Sequence, residues 1–484
     1  MGLAVGVLAA CAGQQTDRAG GPSSTDAAPV ATEATAIVPR GPVSHQGRWL
    51  TDSAGRILLL HGVNMVAKEP PYEPAATGFS DKDAVWLAAN GFRVVRLGIL
   101  ATGLMPTPGT VNESYISSIA ATVNDLSRHG IYVLLDFHQD GWGPSLGSDG
   151  FPAWMTVTDG ATNTHASFPL YYIQNPAIQH AFQSFWDNVA GPNHTPLQVD
   201  YVQMFAAVAS RFADDPDVLG YDLFNEPWPG TTWKSCLANR NGCPDLDSTE
   251  LGAAYTRVVR GIRSAGDDHL VFGEPFVLFN FGLSSTHIPL PGADPEAGMS
   301  FHLYTTSPSN DPDVLANAVA WSASTGGALL NTEWGATTDT AAIVRQTNEL
   351  DSALLPWIFW SYCCEVVRSL HAPPTGTNLV KTTVGALVQP YPLAVAGTPQ
   401  HLVYTTSTRT LSFTWSTTRA GGGSFASAAV TSLAVPASVY PAGYTVDVVG
   451  GTVVGGCGGP AVAIESIPGR PTVTVTVAPG GTCR

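Results

Sequence analysis

The sequence is short of charge. Only 12 % of its 484 residues are Asp, Glu, Lys or Arg, and 22 basic residues face 38 acidic ones. The formal net charge is −16 and the pI is about 5.0. A nucleic-acid backbone would be repelled, which excludes it as a partner. The scarcity of Lys and Arg also argues against electrostatic docking on anionic lipid. Past the N-terminus no run is long and apolar enough to span a bilayer. No GxGxxG follows the first apolar strand, which counts against an open dinucleotide-binding sheet. No CxxC pairs with a second such cluster, so no zinc site is expected. Nothing in the sequence requires a metal or an organic cofactor. What it does hold is 44 % hydrophobic residues, enough for two domains or one large domain with an appendage.

The N-terminal "MGLAVGVLAAC" is a short apolar run ending at Cys11, followed by a polar stretch rich in Ala, Ser and Thr. Leu8-Ala9-Ala10-Cys11 resembles a bacterial lipoprotein signal, although no Lys or Arg precedes the run. Residues 1–40 are therefore expected to be a leader and a tether. The protein is expected to be exported, and either secreted or lipid-anchored through Cys11 at the bacterial cell surface. The other six cysteines fit an oxidising compartment. Cys236 and Cys243 flank a short loop, and Cys457 and Cys483 bracket the last stretch, so both pairs are disulfide candidates. Cys363 and Cys364 are adjacent and form either a vicinal disulfide or two thiols.

From residue 41 onward a hairpin leads into a buried strand at 57–63, after which strands and amphipathic helices alternate. Strands are expected at 93–100, 131–139, from 218, 269–275, 299–304, 327–334 and 355–362. Eight such units predict an α/β fold, a (β/α)₈ TIM barrel spanning 41–390. Near 390 the texture changes to short period-two segments rich in Thr, Val, Ser and Gly. Residues 391–484 read as a C-terminal antiparallel β-sandwich. It either covers the barrel or binds carbohydrate or a lipid surface.

In a barrel, chemistry collects at the C-terminal ends of the strands. Here those ends carry Arg96; Asp136, His138 and Asp140; Asn225 and Glu226; Glu274; His302 and Tyr304; Glu333 and Trp334; and Trp360. Two carboxylates facing across a cleft are the usual apparatus for breaking a glycosidic bond. Glu226 and Glu333, on the fourth and seventh strands, are the expected pair. Glu274 also ends a strand and is expected to support the site or touch substrate; Glu365 is a weaker candidate for sugar binding.

The ordered set "VVRLG", "LDFHQD", "LFNEP", "SFHLYT", "NTEWG" and "IFWSY" resembles glycoside hydrolase family 5 over about residues 45–390. Within it, "DFHQDGWG" and "FNEPWPGT" look most like the endoglycoceramidases, which also carry a C-terminal β-sandwich. The resemblance implies a retaining endo-β-glycosidase that releases oligosaccharide from the ceramide of a glycosphingolipid. Glu226 would be acid/base and Glu333 nucleophile. Arg96 and Tyr304 would donate to Glu333, and His302 would contact the acid or substrate. Asn225, His138 and Asp140 would hold sugar hydroxyls, and Trp360 would stack on the sugar. A glycolipid partner follows, with contact at a membrane surface and a monomeric state. Loop aromatics (Trp142, Phe151, Trp154 with Met155, residues 168–176, and Phe276, Phe279 and Phe281) either line a slot for the ceramide tails or form loop core. Rival readings are a family β-glucanase with a long Trp-lined cleft, a sterol-glucoside hydrolase, and a non-catalytic surface lectin. The intact glutamate pair argues against the lectin.

Overall fold

A computed structural model describes residue 39 and residues 41–483, apart from 167, 239, 306 and 426–428. Cys11 and nearly all of the 1–40 leader and tether lie outside the described residues. Eight parallel strands close into a barrel: β1 (His61–Met65), β2 (Val94–Ile99), β3 (Tyr132–Phe137), β4 (Val218–Asp222), β5 (Leu270–Gly273), β6 (Ala297–Leu303), β7 (Ala328–Trp334) and β8 (Trp357–Phe359). Helices cross between most of them, including Asp81–Ala89, Glu113–Ser127, Leu197–Phe212, Ala253–Ser264, Asp311–Thr325 and Thr340–Ser352. Helix Pro176–Trp186 was not expected. It lies in the long β3–β4 connection, with Asn175 accepting the Ala177 and Ile178 N–H groups at its start.

Strand side chains alternate, so every second residue faces the barrel axis. Val94, Leu134, Leu270, Phe272, Ala328, Leu330 and Ile358 pack as one buried cluster. One step nearer the C-terminal rim, the inward positions become polar: Asn64, Arg96, Asp136, Asp222 and Ser300, all fully buried. The apolar floor therefore gives way to the site within one pleat.

The expected strand at 57–63 is two strands. Ile57–Leu58 pairs antiparallel with Ala394 and Val395, and the barrel strand starts only at His61. A continuous apolar run does not reveal where one sheet hands over to another. The N-terminal strands Ser44–Gln46, Trp49–Thr51 and Ile57–Leu58 belong to a seven-stranded sheet with Tyr391–Val395, Val430–Ala434, Ala461–Ser466 and Gly451–Gly455. A four-stranded antiparallel sheet completes the C-terminal sandwich. The hairpin expected to lead into the barrel thus joins the C-terminal sheet. The Leu329 N–H also donates to the Arg48 carbonyl at 3.1 Å, which ties that hairpin to the foot of β7.

The seam between barrel and sandwich is aromatic. His61 is stacked between Trp357 (4.0 Å) and Tyr391 (3.7 Å), and the Tyr391 hydroxyl donates to the Gly91 carbonyl at 2.6 Å. Tyr391→Ala empties this buried seam and is expected to cost about 4 kcal/mol. Urea denaturation should show one cooperative transition at a lower midpoint. Separate transitions for barrel and sandwich, with the barrel midpoint unchanged, would show that the seam does not couple them.

Candidate active site

Arg96, on β2, has five N–H groups and five acceptors. Nε donates to Asp222 (2.9 Å), one terminal nitrogen to Glu333 (2.5 Å) and Asn64 (3.2 Å), and the other to Asp136 (2.8 Å) and Asn225 (2.9 Å). Asp222 also accepts from the Ser300 hydroxyl at 2.7 Å. The Asn225 amide donates to the Gln139 carbonyl at 2.9 Å, so Asn225 stands buried between Arg96 and the β3 loop.

Glu226 and Glu333 converge. One carboxylate oxygen of each, with a ring nitrogen of His302, lies within 4.8 Å of the others. Two backbone irregularities aim them. In β7 the pairing runs Asn331 to Phe301 and then Glu333 to His302, so Thr332 is an extra residue. Without that bulge the alternation would turn Glu333 outward. Glu226 itself sits at φ +44°, a left-handed conformation uncommon for a side-chain-bearing residue.

Their surroundings differ. Glu333 accepts from Arg96 and, at 3.1 Å, from the Tyr304 hydroxyl. Burial pushes its carboxyl up to about 7, with Arg96 the largest opposing influence. Glu226 has no guanidinium partner. His302 Nδ1 is 3.0 Å from its Oε1, and the Tyr172 hydroxyl donates to its Oε2 at 3.4 Å. Burial, with the charges of Asp140 and Glu333, holds the Glu226 carboxyl well above the usual range. In a coupled pair of this kind the shared proton belongs on Glu226 and the negative charge on Glu333. His302 is buried, and desolvation pushes it well below its ordinary value, so its ring is neutral.

A second charged group lies beside the pair. His138 Nδ1 is 2.7 Å from Asp136 and its Nε2 is 3.4 Å from Asp140. The ring stacks on Trp360 at 5.4 Å. Lys68 bonds Asp140, lies 3.6 Å from Asp149, and sits 4.7 Å over the Trp360 ring. A cleft of about 550 Å³ runs over these groups. Lys68, Asp140, Asp149, Glu226, Tyr304, Glu333 and Trp360 line one part of it, and Phe168, Pro169, Tyr171 and Phe281 line another. His138, Asp140 and Asp149 are close enough to meet a metal ion, but the Lys68 ammonium already satisfies that acidic pair.

Several alternatives that the sequence leaves open are resolved. Glu274 is fully buried and touches the Glu226 backbone rather than substrate: the Glu226 N–H donates to it at 2.9 Å. Glu365 accepts from the Ser361 hydroxyl at 2.9 Å. Trp142, Phe151, Met155, Phe276 and Phe279 are buried loop core, with Trp142 stacked on Phe151 at 4.3 Å; Trp154 is half-buried and donates to the Met105 carbonyl at 3.0 Å. Among the described residues of the expected slot, only Phe168, Pro169, Tyr171 and Phe281 reach the cleft. Phe168, Leu170 and Ile173 are 49 %, 43 % and 41 % exposed. Cys236–Cys243, Cys457–Cys483 and Cys363–Cys364 are each bonded. Asn64, Lys68, Asp149, Tyr172 and Asn280 were not anticipated. The strand expected at 57–63 stopped short of Asn64 and Lys68, and that boundary hid them.

These carboxyls set the pH dependence of stability. Asp149 and Asp222 are raised to about 6, mainly by burial, as is Asp247 elsewhere in the fold; Glu333 is raised to about 7. A raised carboxyl binds its proton more tightly when folded. Its stabilisation is full below the unfolded value near 4 and is lost as pH rises through 6–7. His138, raised to about 10 against burial by the Asp136 charge, acts in the same sense at higher pH. Asp140 is lowered by Lys68 against burial and opposes the trend only below about pH 4. His61 and His302, lowered by burial, oppose this trend below the unfolded histidine value of about 6.5, so the urea midpoint should fall from about pH 6.5 toward pH 8. A midpoint rising steadily over that interval would contradict these shifts.

Comparison with known proteins agrees with this geometry. Residues 60–365 match the model "Cellulase (glycosyl hydrolase family 5)", and residues 389–477 match the family 5 C-terminal domain. Endoglycoceramidase I of Rhodococcus hoagii is 30 % identical over 455 residues, covering 89 % of this chain and 87 % of its own. Endo-glycoceramidase II of Rhodococcus sp., solved as a lactosyl-enzyme intermediate, superposes with a TM-score of 0.73 at 27 % identity, over 90 % of this chain and all of that one. The same enzyme in complex with ganglioside GM3 gives 0.72 at 26 %, over 90 % of this chain and 99 % of that one. With its closed parallel barrel, converging glutamates and matching C-terminal domain, this chain belongs to glycosyl hydrolase family 5.

Proposed function

We propose that the protein is a retaining endo-β-glycosidase that cleaves glycosphingolipids between oligosaccharide and ceramide, with Glu226 as acid/base and Glu333 as nucleophile. The observation that carries this reading is the cleft itself: a charged pocket around the two glutamates that continues into an exposed apolar lip. A carboxylate spacing within 4.8 Å fits retention, for which the groups stand about 5–5.5 Å apart, and leaves no room for the water that inversion needs.

In the first step Glu226 gives its proton to the glycosidic oxygen while a Glu333 oxygen attacks the anomeric carbon. Ceramide leaves as an alcohol and the sugar is esterified to Glu333. In the second step the Glu226 carboxylate takes a proton from water, the water oxygen attacks the anomeric carbon, and the Glu333 ester bond breaks. Arg96 and Tyr304 stabilise Glu333 as leaving carboxylate. Lys68 and Asp140 offer a donor and an acceptor for sugar hydroxyls, and Trp360 offers a face for the sugar's apolar side.

The apolar lip suits the lipid. Phe168 and Phe281 are 6.3 Å apart and line the cleft, and the adjoining turn exposes Leu170 and Ile173. Soluble proteins rarely leave such residues clustered at a functional opening without a partner. A membrane surface holding the glycolipid is that partner, engaged by apolar contact rather than by charge. Among the described residues Trp360 is the one tryptophan on the cleft wall, which disfavours a polysaccharide cleft built on several. The three cysteine pairs support an exported protein.

Two measurements test this. Products from an aryl β-lactoside should appear first as the β-anomer by NMR, and Glu333→Gln should lose at least about 10³-fold in kcat; α-anomer first, or full activity of that variant, would overturn the assignment. Leu170→Ser with Ile173→Ser should lower hydrolysis of vesicle-bound glycosphingolipid roughly tenfold or more while leaving the soluble lactoside unaffected. Equal rates on vesicles would remove the lip from lipid engagement.

A further inference from the structure

Glu274, at the end of β5, is the carboxylate that the two-step chemistry leaves unused. The polar groups recorded around its carboxylate are N–H bearers. The Glu226 main-chain N–H donates to Oε2 at 2.9 Å, and Asn280 Nδ2 donates to Oε1 at 2.6 Å. His302 Nε2 lies 3.5 Å from Oε2 and has no closer hydrogen-bond partner. Asn280 closes the arrangement, because its Oδ1 accepts the His302 main-chain N–H at 3.0 Å and its carbonyl accepts the Tyr304 N–H at 3.0 Å. Glu274 and Asn280 therefore brace the backbone of Glu226 and the ring of His302 together.

The consequence lies in one proton. A neutral imidazole carries its hydrogen on one nitrogen, and the partner of the far nitrogen decides which. His302 Nδ1 is 3.0 Å from Glu226 Oε1 and 3.5 Å from Glu333 Oε2. With the hydrogen on Nδ1 the ring would donate to Glu226 and favour its ionised form. With the hydrogen on Nε2, pointing at Glu274, Nδ1 accepts from Glu226 and favours its protonated form.

Resting on the assignment of Glu226 as acid/base, we propose that Glu274 is a positioning residue that holds His302 as its Nε2–H tautomer, so that Nδ1 receives the acid proton of Glu226 and keeps that carboxyl ready to donate. After Glu226 has protonated the leaving oxygen, the Nδ1 lone pair faces a bare carboxylate. That contact is unfavourable, so Glu226 takes a proton from water the more readily in the second step. Other charged and titratable groups bear on this set. Asp140, Glu333, His138, Lys68 and Tyr172 face Glu226; Arg96, His138 and Asp140 face His302; Asp222 and Arg96 face Glu274. None of them contacts Nε2. Burial, with the charges of Asp222 and Glu226, pushes the Glu274 carboxyl up, but both of its oxygens already accept N–H groups, so it meets Nε2 as an acceptor and sets the tautomer.

The test is ¹⁵N NMR of the His302 ring, assigned by its loss in His302→Asn, in the full-length protein. The wild type should show hydrogen on Nε2. In Glu274→Gln, whose amide can turn an N–H toward the ring, it should move to Nδ1. The basic limb of the pH–rate profile should then fall by about one unit. kcat should drop about tenfold on a phenyl lactoside, which needs the acid, and far less on a dinitrophenyl lactoside, which does not. Asn280→Ala, should Glu274→Gln not fold, should move both readouts the same way by less. A wild-type ring protonated on Nδ1, or equal losses on both lactosides with an unmoved pH profile, would overturn the proposal. A wild type inactive on every β-glycoside would instead sink the glycosidase reading, with the tautomer measurement still standing.

Discussion

Arg96 is a buried cation whose five N–H groups are matched by acceptors from the ends of β1, β3, β4 and β7. Only a planar fork can satisfy so many partners at once; an ammonium would reach fewer and leave buried carboxylates unpaired. The three carboxylates outnumber the one positive charge, so they cannot all ionise freely in a desolvated barrel. Burial first, and that crowding of charge second, raise Asp222 and Glu333. This also leaves Glu226, which has no guanidinium at all, to carry the proton. One interaction thus closes the rim of the barrel, orders its strand ends and sets the difference between two chemically identical side chains.

Aim is supplied separately from charge. The inward face of β7 passes through Ala328 and Leu330, and strict alternation would continue to Thr332. The bulge puts Glu333 there instead, opposite His302. On β4 the chain leaves the strand through Asn225 and turns left-handed at Glu226, whose N–H is held by Glu274. The backbone departs from regular geometry at both converging carboxylates, and in each case buried polar partners hold the departure in place.

The extent to which the sequence reveals this follows from the range of each signal. Alternating apolar strands and amphipathic helices are local, and they predict a barrel with a β-rich appendage. Strand ends such as "LFNEP" and "NTEWG" identify the rim because polar groups there interrupt otherwise apolar runs. The bulge at Thr332 has no compositional mark, since it is set by pairing with β6. The split of residues 57–63 between two sheets is likewise invisible in a run that is apolar throughout, and it concealed Lys68. Aromatic loops stay ambiguous for the opposite reason. Trp142 and Phe151 have the composition of a lipid slot but pack on Phe182 and Phe185. Whether a loop aromatic faces solvent depends on helix Pro176–Trp186, which the sequence reading did not place.

The lip and the acid are parts of one segment. Phe168, Leu170 and Ile173 face outward, while Tyr172, inside the same turn, stacks on Trp228 at 5.2 Å and donates to Glu226 at 3.4 Å. Any contact that orders the outer face must therefore also fix the tyrosine that touches the acid, because five residues of helix cannot move one face without the other. Under the proposed membrane contact, a soluble glycoside would meet Glu226 with this turn unloaded, and a glycolipid in a bilayer would meet it with the turn clamped. Since Trp228 and Pro227 belong to "NEPWPG", the residues just after the acid connect chemistry to lip: Trp228 carries the tyrosine, and the Pro227 carbonyl takes the Val277 N–H at 2.9 Å, in the loop that leads on to Phe281.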